Sequence, residues 1–384
     1  MKVLVVGGGG REHALAWRLS QSEKIQQVLV APGNGGTALE RELTNVPITD
    51  VVALREWAVA NKIGLTVVGP EQPLAQGIVD EFQAHGLRIF GPTRLAAQLE
   101  SSKAFSKAFM KRHGIPTADY EVFTDAAAAK AYLQTKGAPI VVKADGLAAG
   151  KGVVVAQTLT QAMDAVDQML GYGDVSPVHD TNGEQAVARI VIEEFLSGEE
   201  ASFIVLVDGE NVLPLATSQD HKCLCDGDLG PNTGGMGAYS PAPVVTPDIH
   251  AKAMREIIFP TIKGLQKEGI RYTGFLYAGL MITSQGDVKT LEFNCRLGDP
   301  ETQPILMRLK SDLFDLLMAA TSEGLASIQL DWDMRASIGV VMAAAGYPAA
   351  PMKGDVIHGL SPNLDQADTA TKVFHAGTTL EDGS

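Results

Sequence analysis

Residues 2–20, with the sequence KVLVVGGGGREHALAWRLS, join a short aliphatic run to a helical pattern through four consecutive glycines. The run Lys2–Val6 predicts a buried strand, and the apolar spacing within Glu12–Leu19 predicts a helix directly after the turn. A strand followed at once by a helix is the repeating unit of a parallel sheet, because the chain must cross over before the next parallel strand. The start of the sequence therefore predicts an open α/β domain.

The same alternation continues through the first hundred residues. Further aliphatic runs predict strands at Gln27–Val30, Leu65–Val68 and Leu87–Phe90, with helices at Leu54–Ala60 and Leu74–Ala84. Ligands of open α/β sheets bind outside the carboxyl ends of the strands, so the loops that follow the strands should converge on one site. Those loops are Gly7–Gly10, Ala31–Asn34, Gly69–Glu71 and Gly91–Thr93.

The rest of the chain predicts mixed α/β and α+β structure. A helix is expected over Arg94–His113, in which Lys103, Lys107 and Lys111 form one basic stripe that composition alone assigns to solvent. Residues 120–195 predict a small α+β subdomain, and antiparallel strands follow from Ala201. We therefore expect an N-terminal parallel α/β domain at 1–102, a middle domain at 103–325 with a subdomain at about 119–195, and a β-rich domain at 326–384.

Composition excludes several functional classes. The chain has 384 residues with 31 basic and 45 acidic side chains, which gives a net charge of −14 and a pI near 5.0. This length predicts two or three domains, and an acidic chain is not expected to bind nucleic acid. An anionic substrate would need a local pocket of basic side chains or amides, because the overall field repels it.

The cysteines and the apolar segments predict a cytoplasmic protein. Cys223, Cys225 and Cys295 are an odd number and cannot form a disulfide framework. The first aliphatic run is too short for a signal peptide, and the apolar stretch 338–352 is interrupted by glycine and proline, so no membrane association is expected. We also expect a monomer.

The glycines after the first strand do not form a dinucleotide-binding fingerprint. Glu12 occupies the position of the third glycine, and the second strand ends in Val30-Ala31-Pro32 without the acidic residue that would bind a ribose. A nicotinamide cofactor is therefore not expected. Backbone amides at the start of a helix can still bind a phosphate, which keeps a phosphorylated substrate among the candidates.

A second glycine-rich segment lies between two predicted strands, Ile140–Lys143 and Val153–Ala156. It differs from a P-loop because only three residues separate Gly146 from Gly150, and Gly152 stands where a P-loop has Ser or Thr. A glycine-rich hairpin flanked by two lysines can nevertheless cover a polyphosphate. The alternative is an ordinary hairpin with solvated lysines.

A third motif places three polar side chains on one strand face. Glu292, Asn294 and Arg296 alternate along the predicted strand, so they point the same way. A carboxylate and an amide carbonyl are suitable ligands for Mg²⁺, and an arginine beside them suits an anionic substrate. An exposed polar strand face is the alternative.

The long loop around Asp220-His221-Lys222 is also expected to be functional. It continues into the glycine-rich segment 226–237, which no core requires. Cys223 and Cys225 lack the spacing of a zinc site and are expected to be ordinary thiols. The sequence contains no Ser/His/Asp elbow and no HExxH motif.

Taken together, these residues resemble the glycinamide ribonucleotide synthetase family of ATP-grasp enzymes, which acts in purine biosynthesis. The resemblance runs from Met1 to the last residue. The most specific stretches are Gly9–Ala14, Ala31–Asn34, Gly69–Glu71, Lys143–Gly152, Glu193–Leu196, Gly230–Tyr239 and Glu292–Glu301.

The resemblance implies that the chain ligates glycine to 5-phosphoribosylamine with ATP and Mg²⁺ or Mn²⁺, through a glycyl phosphate. It also implies that the middle domain is an ATP-grasp domain whose small subdomain is a lid. Two alternatives remain: an ATP-grasp ligase for another carboxylate and amine, and a non-catalytic nucleotide-binding regulator.

The resemblance also implies residue roles. The ATP site would comprise Lys103, Lys143, Gly146, Gly150, Lys151, Gly152, Glu193, Phe195, Leu196 and Glu200. The metal ligands would be Glu292 and Asn294, and the catalytic residues Arg296, Lys151, Asp220 and Lys222. The phosphoribosylamine and glycine pocket would include Gly8, Gly10, Arg11, Asn34, Glu71, Asp299 and Lys353.

Three departures from the family pattern carry expectations of their own. Tyr277 stands where other ATP-grasp enzymes often have a metal-binding carboxylate, and Cys223 replaces the usual arginine after Lys222. The family continues beyond Ser384, so the final domain is expected to be incomplete and to expose an apolar edge near Val340–Ala344.

Overall fold

The computed structural model describes residues 1–147, 152–171, 188–360 and 371–381. The predicted site residues Gly150 and Lys151 lie outside the described residues.

The N-terminal residues form the predicted open parallel sheet with helices on its faces. Its five strands have the order β3-β2-β1-β4-β5, and β1 is central because it pairs with both β2 and β4. The strands are β1 (Lys2–Gly7), β2 (Gln27–Pro32), β3 (Leu43–Asn45), β4 (Leu65–Val68) and β5 (Ile89–Phe90). The helices are α1 (Gly10–Ser20), α2 (Gly35–Leu39), α3 (Val51–Ala60), α4 (Glu71–Gln76) and α5 (Ile78–Ala84).

Two predicted helices are each divided in the structure. The pattern at Leu74–Ala84 is interrupted by Gly77, whose φ of +88° ends α4 and begins α5. The pattern at Arg94–His113 is interrupted by Ser102, which is extended and caps the second segment by accepting a hydrogen bond from the Phe105 amide. The segments are α6 (Gln98–Ser101) and α7 (Lys103–Arg112), so Lys103 begins a helix rather than lying within one.

The expected small subdomain is a four-stranded antiparallel sheet with two helices. The strand order is β6-β9-β7-β8, and β7 pairs with β8 across the glycine-rich hairpin. The strands are β6 (Tyr120–Phe123), β7 (Ile140–Ala144), β8 (Val153–Ala156) and β9 (Ile190–Glu194), and the helices are α8 (Ala126–Lys136) and α9 (Leu159–Gly171). The subdomain has its own hydrophobic core, which includes Leu133, Val142 and Val166.

A second antiparallel sheet carries the Glu-x-Asn motif on its edge strand. Its order is β11-β10-β16-β17, and long β10 pairs with β16 along its whole length. The strands are β10 (Glu199–Asp208), β11 (Val212–Pro214), β16 (Thr273–Ile282) and β17 (Val288–Asn294). The predicted helix Ile249–Glu268 is α10 (Pro247–Ala253), a π-helical turn (Met254–Ile258) and α11 (Phe259–Lys267).

The remaining elements surround this sheet. A three-stranded sheet has the order β12-β15-β18, and β13 pairs with β14 as a hairpin. The strands are β12 (Gln219–Asp220), β13 (Cys223–Cys225), β14 (Leu229–Asn232), β15 (Gly237–Ser240) and β18 (Ser337–Val340), and the helices are α12 (Thr302–Arg308), α13 (Leu313–Ala320) and a 3₁₀ turn (Leu325–Ser327).

The predicted strand Ala336–Ala343 is β18, which is shorter than expected and pairs with β15 of the middle domain. The expected exposed apolar edge is present. Ile338, Val340 and Met342 are 73, 76 and 96% exposed.

The N-terminal and middle domains share two hydrophobic clusters. Leu4 of β1 packs in the cluster that contains Phe203 of β10, whereas Val3 packs in the cluster that contains Ile204. Successive residues of each strand thus face opposite clusters, as the two-residue period of a strand requires. This shared core fixes the loops of the parallel sheet against the end of β17. No helix in the described ranges is long and apolar enough to cross a membrane.

A buried ion-pair cluster holds residues 371–381 on the N-terminal domain. The Glu40 carboxylate lies 2.5 Å from Lys372 Nζ and 2.7 Å from His13 Nε2. His13 Nδ1 accepts a hydrogen bond from the His375 amide, and the Asn34 side-chain amide donates to the His375 carbonyl. Burial alone would raise the pKa of Glu40, but its bonds to His13 and Lys372 lower it.

We expect Glu40→Gln to reduce the free energy of unfolding at pH 7 by about 3 kcal/mol, because it leaves Lys372 buried without its counter-ion. The lowered pKa of Glu40 implies that its contribution is present above the ordinary glutamate pKa and is lost as the pH falls through the folded-state pKa. Urea denaturation of the variant and wild type at several pH values would measure both effects. A difference that does not shrink at low pH would contradict this assignment.

Candidate active site

Most of the predicted site residues line one cleft of about 500 Å³ between the small subdomain, α7 and the second antiparallel sheet. A surface groove of about 590 Å³ beside α10 contains none of them. The predicted residues that line the cleft are Arg11, Glu71, Lys103, Lys143, Gly146, Gly152, Glu193, Phe195, Leu196, Glu200, Asp220, Lys222, Glu292, Asn294, Arg296 and Asp299.

Lys103 is held at the start of the glycine-rich hairpin. Its Nζ donates to the Gly146 carbonyl at 2.9 Å. The buried Asp145 carboxylate accepts from the Ala104 amide and from the Ser102 hydroxyl, each at 3.2 Å, so it ties the hairpin to the first turn of α7. Burial lowers the pKa of Lys103, and the nearby Lys143 adds to this effect. Lys103 therefore lines the cleft instead of a solvated stripe, and its family-based role at the ATP site stays a prediction.

Lys107 was assigned to solvent by composition, and that interpretation is wrong. Its side chain is 2% exposed, and Nζ lies 2.9 Å from Glu193 Oε2. Lys143 Nζ lies 3.0 Å from Glu193 Oε1, so two lysines share one buried carboxylate. Burial lowers the pKa of Lys107 to about 8. Helical spacing alone could not reveal this, because the partner comes from β9 in the small subdomain.

Glu292 and Asn294 alternate at the end of β17, and Arg296, which was predicted to continue the alternation, follows the strand in a bend and lines the same cleft. Burial alone would raise the pKa of Glu292, but Lys222, Lys143, Lys103 and Arg296 hold it at about 2. The Asn294 side-chain nitrogen donates to Glu292 Oε1 at 3.4 Å, and its carbonyl oxygen accepts from Arg296 Nη2 at 3.3 Å. A carboxylate and an amide carbonyl on one strand face are oxygen donors of the kind that Mg²⁺ or Mn²⁺ takes.

No group of three or more His, Cys, Asp or Glu side chains that could hold a metal ion occurs in the part of the chain that the structure describes. Tyr277 is the residue expected to replace a metal-binding carboxylate. Its hydroxyl lies 2.9 Å from the Ser202 hydroxyl. Ser202 also donates to Glu301 Oε1 at 2.9 Å. Glu292 and Asn294 would therefore need oxygen ligands from a phosphorylated substrate or from water.

Arg296 lies between two carboxylates from the N-terminal half of the chain. Its Nη2 is 2.9 Å from Glu100 Oε1, and its Nε is 3.3 Å from Glu71 Oε2. Glu100 also accepts from the Cys295 amide at 2.6 Å. Burial raises the pKa of Glu100, and the negative charge of Glu71 adds to this effect. Sequence reasoning missed Glu100, since it belongs to no motif.

The first glycine loop is stabilised by its own charged residues. Glu12 accepts from the Gly9 amide at 2.7 Å and pairs with the buried Arg11 side chain. Arg11 reaches across to donate to the Leu297 carbonyl at 3.1 Å, and its amide faces Asp299 Oδ2 at 3.3 Å. The loop of β1 and the turn after β17 are thereby joined.

Four predicted substrate residues do not line the cleft. The Asn34 side chain donates to the Gly8 and His375 carbonyls and accepts from the Thr37 amide, so it supports the loops. A Cβ atom at Gly8 would lie 2.7 Å from the Gly33 carbonyl oxygen, and one at Gly10 would lie 2.7 Å from Gln303 Nε2. These glycines permit close packing. Lys353 is exposed on the segment after β18.

Asp220 and Lys222 lie on the opposite wall with Glu200. Lys222 Nζ is 3.1 Å from Glu200 Oε2 and 3.9 Å from Asp220 Oδ2. Burial, with repulsion from Glu301 and Glu200, raises the pKa of Asp220 to about 7 despite the attraction of Lys222. A carboxyl group with this pKa can exchange a proton near neutral pH. The segment after β9 presents Phe195, which is 37% exposed, beside the nearly buried Leu196.

The chain matches three family models in order. Residues 1–100 match the phosphoribosylglycinamide synthetase N domain, 101–302 the ATP-grasp (A) domain and 337–384 the C domain of the same family.

Curated relatives are similar over the whole chain. A phosphoribosylamine–glycine ligase from Ralstonia nicotianae is 64% identical over 384 residues, which are 100% of this chain and 88% of that protein. The same-named protein of Escherichia coli K12 is 62% identical over 387 residues and is covered to 87%.

Solved structures are similar to this chain over most of its length. A crystal structure of phosphoribosylamine–glycine ligase from Thermotoga maritima has a TM-score of 0.79 and 33% identity, covering 100% of this chain and 88% of that chain. An N5-carboxyaminoimidazole ribonucleotide synthetase bound to ADP has a TM-score of 0.64 at 15% identity, covering 88% of this chain and 81% of that one, and shares the fold. Because three domain models of one family match the chain in order, and two curated relatives are 64 and 62% identical along its whole length, this chain belongs to the phosphoribosylglycinamide synthetase family of ATP-grasp enzymes.

Proposed function

We propose that this protein ligates glycine to 5-phosphoribosylamine with ATP, giving glycinamide ribonucleotide, ADP and phosphate. The observation that carries the proposal is the concentration of Lys103, Lys143, Lys222 and Arg296 around the ionised Glu292 carboxylate in one cleft. Such a cluster in an acidic protein suits a polyphosphate. The names of the similar proteins support glycine and phosphoribosylamine as the substrates.

In this proposal the nucleotide occupies the side of the cleft formed by the small subdomain. Lys103 and Lys143 bind the phosphates beneath the glycine-rich hairpin, which contributes Gly146 and Gly152. The adenine packs beside Phe195 and Leu196, and Glu200 accepts from the ribose hydroxyls. The Glu193 carboxylate is occupied by two lysines, so its role is to hold the lysines.

Glu292 and Asn294 would hold Mg²⁺ or Mn²⁺, which neutralises phosphate charge when bound. Arg296 and the lysines contribute fixed positive charge on either side of this pair. The fold thus offers positioning and electrostatic stabilisation, which are the main requirements of phosphoryl transfer.

The chemistry then needs no enzyme nucleophile. A glycine carboxylate oxygen attacks the γ-phosphorus of ATP, and the bond to the leaving ADP oxygen breaks, giving glycyl phosphate. The phosphoribosylamine nitrogen attacks the acyl carbon, inorganic phosphate leaves, and the nitrogen loses a proton. We assign the acceptance of that proton to Asp220, because its pKa of about 7 suits proton exchange near neutral pH.

The phosphoribosylamine pocket is proposed at the loops of the parallel sheet. Arg11, Glu71 and Asp299 face the cleft there, next to Arg296. Gly8, Gly10 and Asn34 fix the shape of these loops, and Lys353 would have to approach from the segment after β18.

The decisive experiment measures ADP release with each substrate omitted in turn. We expect ADP formation to require glycine and to reach its full rate only with phosphoribosylamine present. ADP release that ignores glycine, or runs equally well with another amino acid, would favour a different ATP-grasp ligase. Nucleotide binding without any ADP release would favour a regulator.

Glu292→Gln should keep the fold and lose most phosphoryl transfer. It removes one negative charge from the metal-binding pair while preserving size and one acceptor. Glu199→Gln, an exposed carboxylate at the start of β10, is the matched control. Turnover of Glu292→Gln within about twofold of wild type at saturating Mg²⁺, a barrier change below ~0.5 kcal/mol, would remove Glu292 from the metal site.

Lys143→Ala should raise the KM for ATP by roughly tenfold or more, because it deletes a buried charge from the phosphate site. Lys130→Ala, which removes an ion pair with Asp167 on the surface of the small subdomain, is the control. Initial rates at varied ATP concentrations would measure the effect. An unchanged KM would place the phosphates elsewhere in the cleft.

The raised pKa of Asp220 predicts that kcat/KM depends on pH. Only the ionised carboxylate can accept a proton, so kcat/KM should rise as the pH passes about 7 and then level off. Asp220→Asn should lower activity and abolish this rise. A variant that retains the same pH profile would assign the ionisation to another group.

A further inference from the structure

The charge on Lys107 has no role in the site described so far, although it is among the most deeply buried charges of the protein. Lys107 lies on α7, one turn after Lys103, and its side chain is 2% exposed. An ammonium group is removed from water at considerable cost unless it is paired. A solvent-exposed lysine would not carry this desolvation cost. The burial therefore requires an explanation.

The partners of Lys107 connect three walls of the cleft. Nζ lies 2.9 Å from Glu193 Oε2 on β9 and donates to Thr117 Oγ1 at 2.7 Å. Thr117 in turn donates to the Thr290 carbonyl of β17, two residues before Glu292. Lys107 thus links α7 to the small subdomain and to the strand that carries the Glu-x-Asn motif.

The second oxygen of Glu193 serves Lys143. Lys143 Nζ lies 3.0 Å from Glu193 Oε1 and 3.3 Å from the Leu291 carbonyl. Two lysines and one glutamate leave a net charge of +1 in this buried group. Without the charge of Lys107, Glu193 and Lys143 would form a neutral pair. The shared carboxylate therefore leaves Lys143 incompletely neutralised at the cleft wall.

We propose that Lys107 is a positioning residue that occupies one oxygen of Glu193, orients the carboxylate, and thereby keeps the positive charge of Lys143 available to the phosphates of a nucleoside triphosphate. Lys107 borders the cleft, but its Nζ is held by Glu193 and Thr117, so we assign it no direct contact with the nucleotide. This inference rests on the proposed nucleotide site, but it assigns a role to a residue outside the predicted set.

The test compares the affinities of ATP and adenosine, measured by calorimetry on the full chain. Adenosine has no phosphate, so its binding reports the shape of the site without the charge. We expect Lys107→Met to weaken ATP binding by roughly tenfold while adenosine binding is unchanged. Lys107→Arg should retain ATP affinity, because it keeps the charge. Lys111→Met, the same substitution one turn later at an exposed position, should change neither affinity.

A double variant keeps the test decisive if Lys107→Met folds poorly. Lys107→Met with Glu193→Gln removes both charges of one pair and restores the net charge of +1 through Lys143. We expect its ratio of ATP to adenosine affinity to return towards the wild-type value. An equal loss of ATP and adenosine affinity in Lys107→Met, or a double variant whose ratio stays low, would overturn the proposal.

The failure of the inference is distinguishable from failure of the proposed function. ATP binding by the wild-type protein is measured directly and does not depend on which amine or carboxylate is the substrate. A wild-type protein that does not bind ATP would refute the proposed function. Normal ATP affinity in both wild type and Lys107→Met would refute only the role of Lys107.

Discussion

The Arg296 guanidinium must keep its two carboxylate partners, and this constraint joins the halves of the molecule. Glu71 follows β4 of the parallel sheet, Glu100 lies on α6, and Arg296 follows β17 of the second antiparallel sheet. The largely buried guanidinium of Arg296 is stable only with its counter-ions in place. The same ion pairs that join the strand ends also bring Glu292 and Asn294 beside the loops of the parallel sheet. The contacts that dock the domains are thus also contacts of the site.

The cleft also resolves the conflict between an acidic protein and an anionic substrate. The chain carries a net charge of −14, yet Lys103, Lys107, Lys143 and Lys222 gather around Glu193 and Glu292. Burial weakens the screening of these charges by water, so each lysine strongly affects the others. The glutamates offset the mutual repulsion of the lysines, which would otherwise drive the ammonium groups apart. The local field is thus set by the pairing of buried side chains, not by the overall composition.

Much of this organisation could be predicted from sequence. The β1 strand, the glycine turn and α1 follow from local periodicity, and the alternation in β17 placed Glu292 and Asn294 on one face, whereas Arg296 lies in the bend after the strand. The breaks at Gly77 and Ser102 were missed because apolar spacing continues across them. Lys107 and Glu100 were missed for a different reason. Their partners are distant in sequence, and no local pattern encodes the burial of a charge by another element.

The most direct test of the account follows the oxygen atoms of glycine. If the carboxylate attacks ATP and phosphate later leaves from the acyl carbon, one carboxylate oxygen is transferred to phosphate. With glycine labelled by ¹⁸O in the carboxylate, mass spectrometry should find one ¹⁸O in each inorganic phosphate and the other in the amide product. Phosphate without ¹⁸O would show that water, not glycine, attacks ATP, and would contradict the proposed ligation.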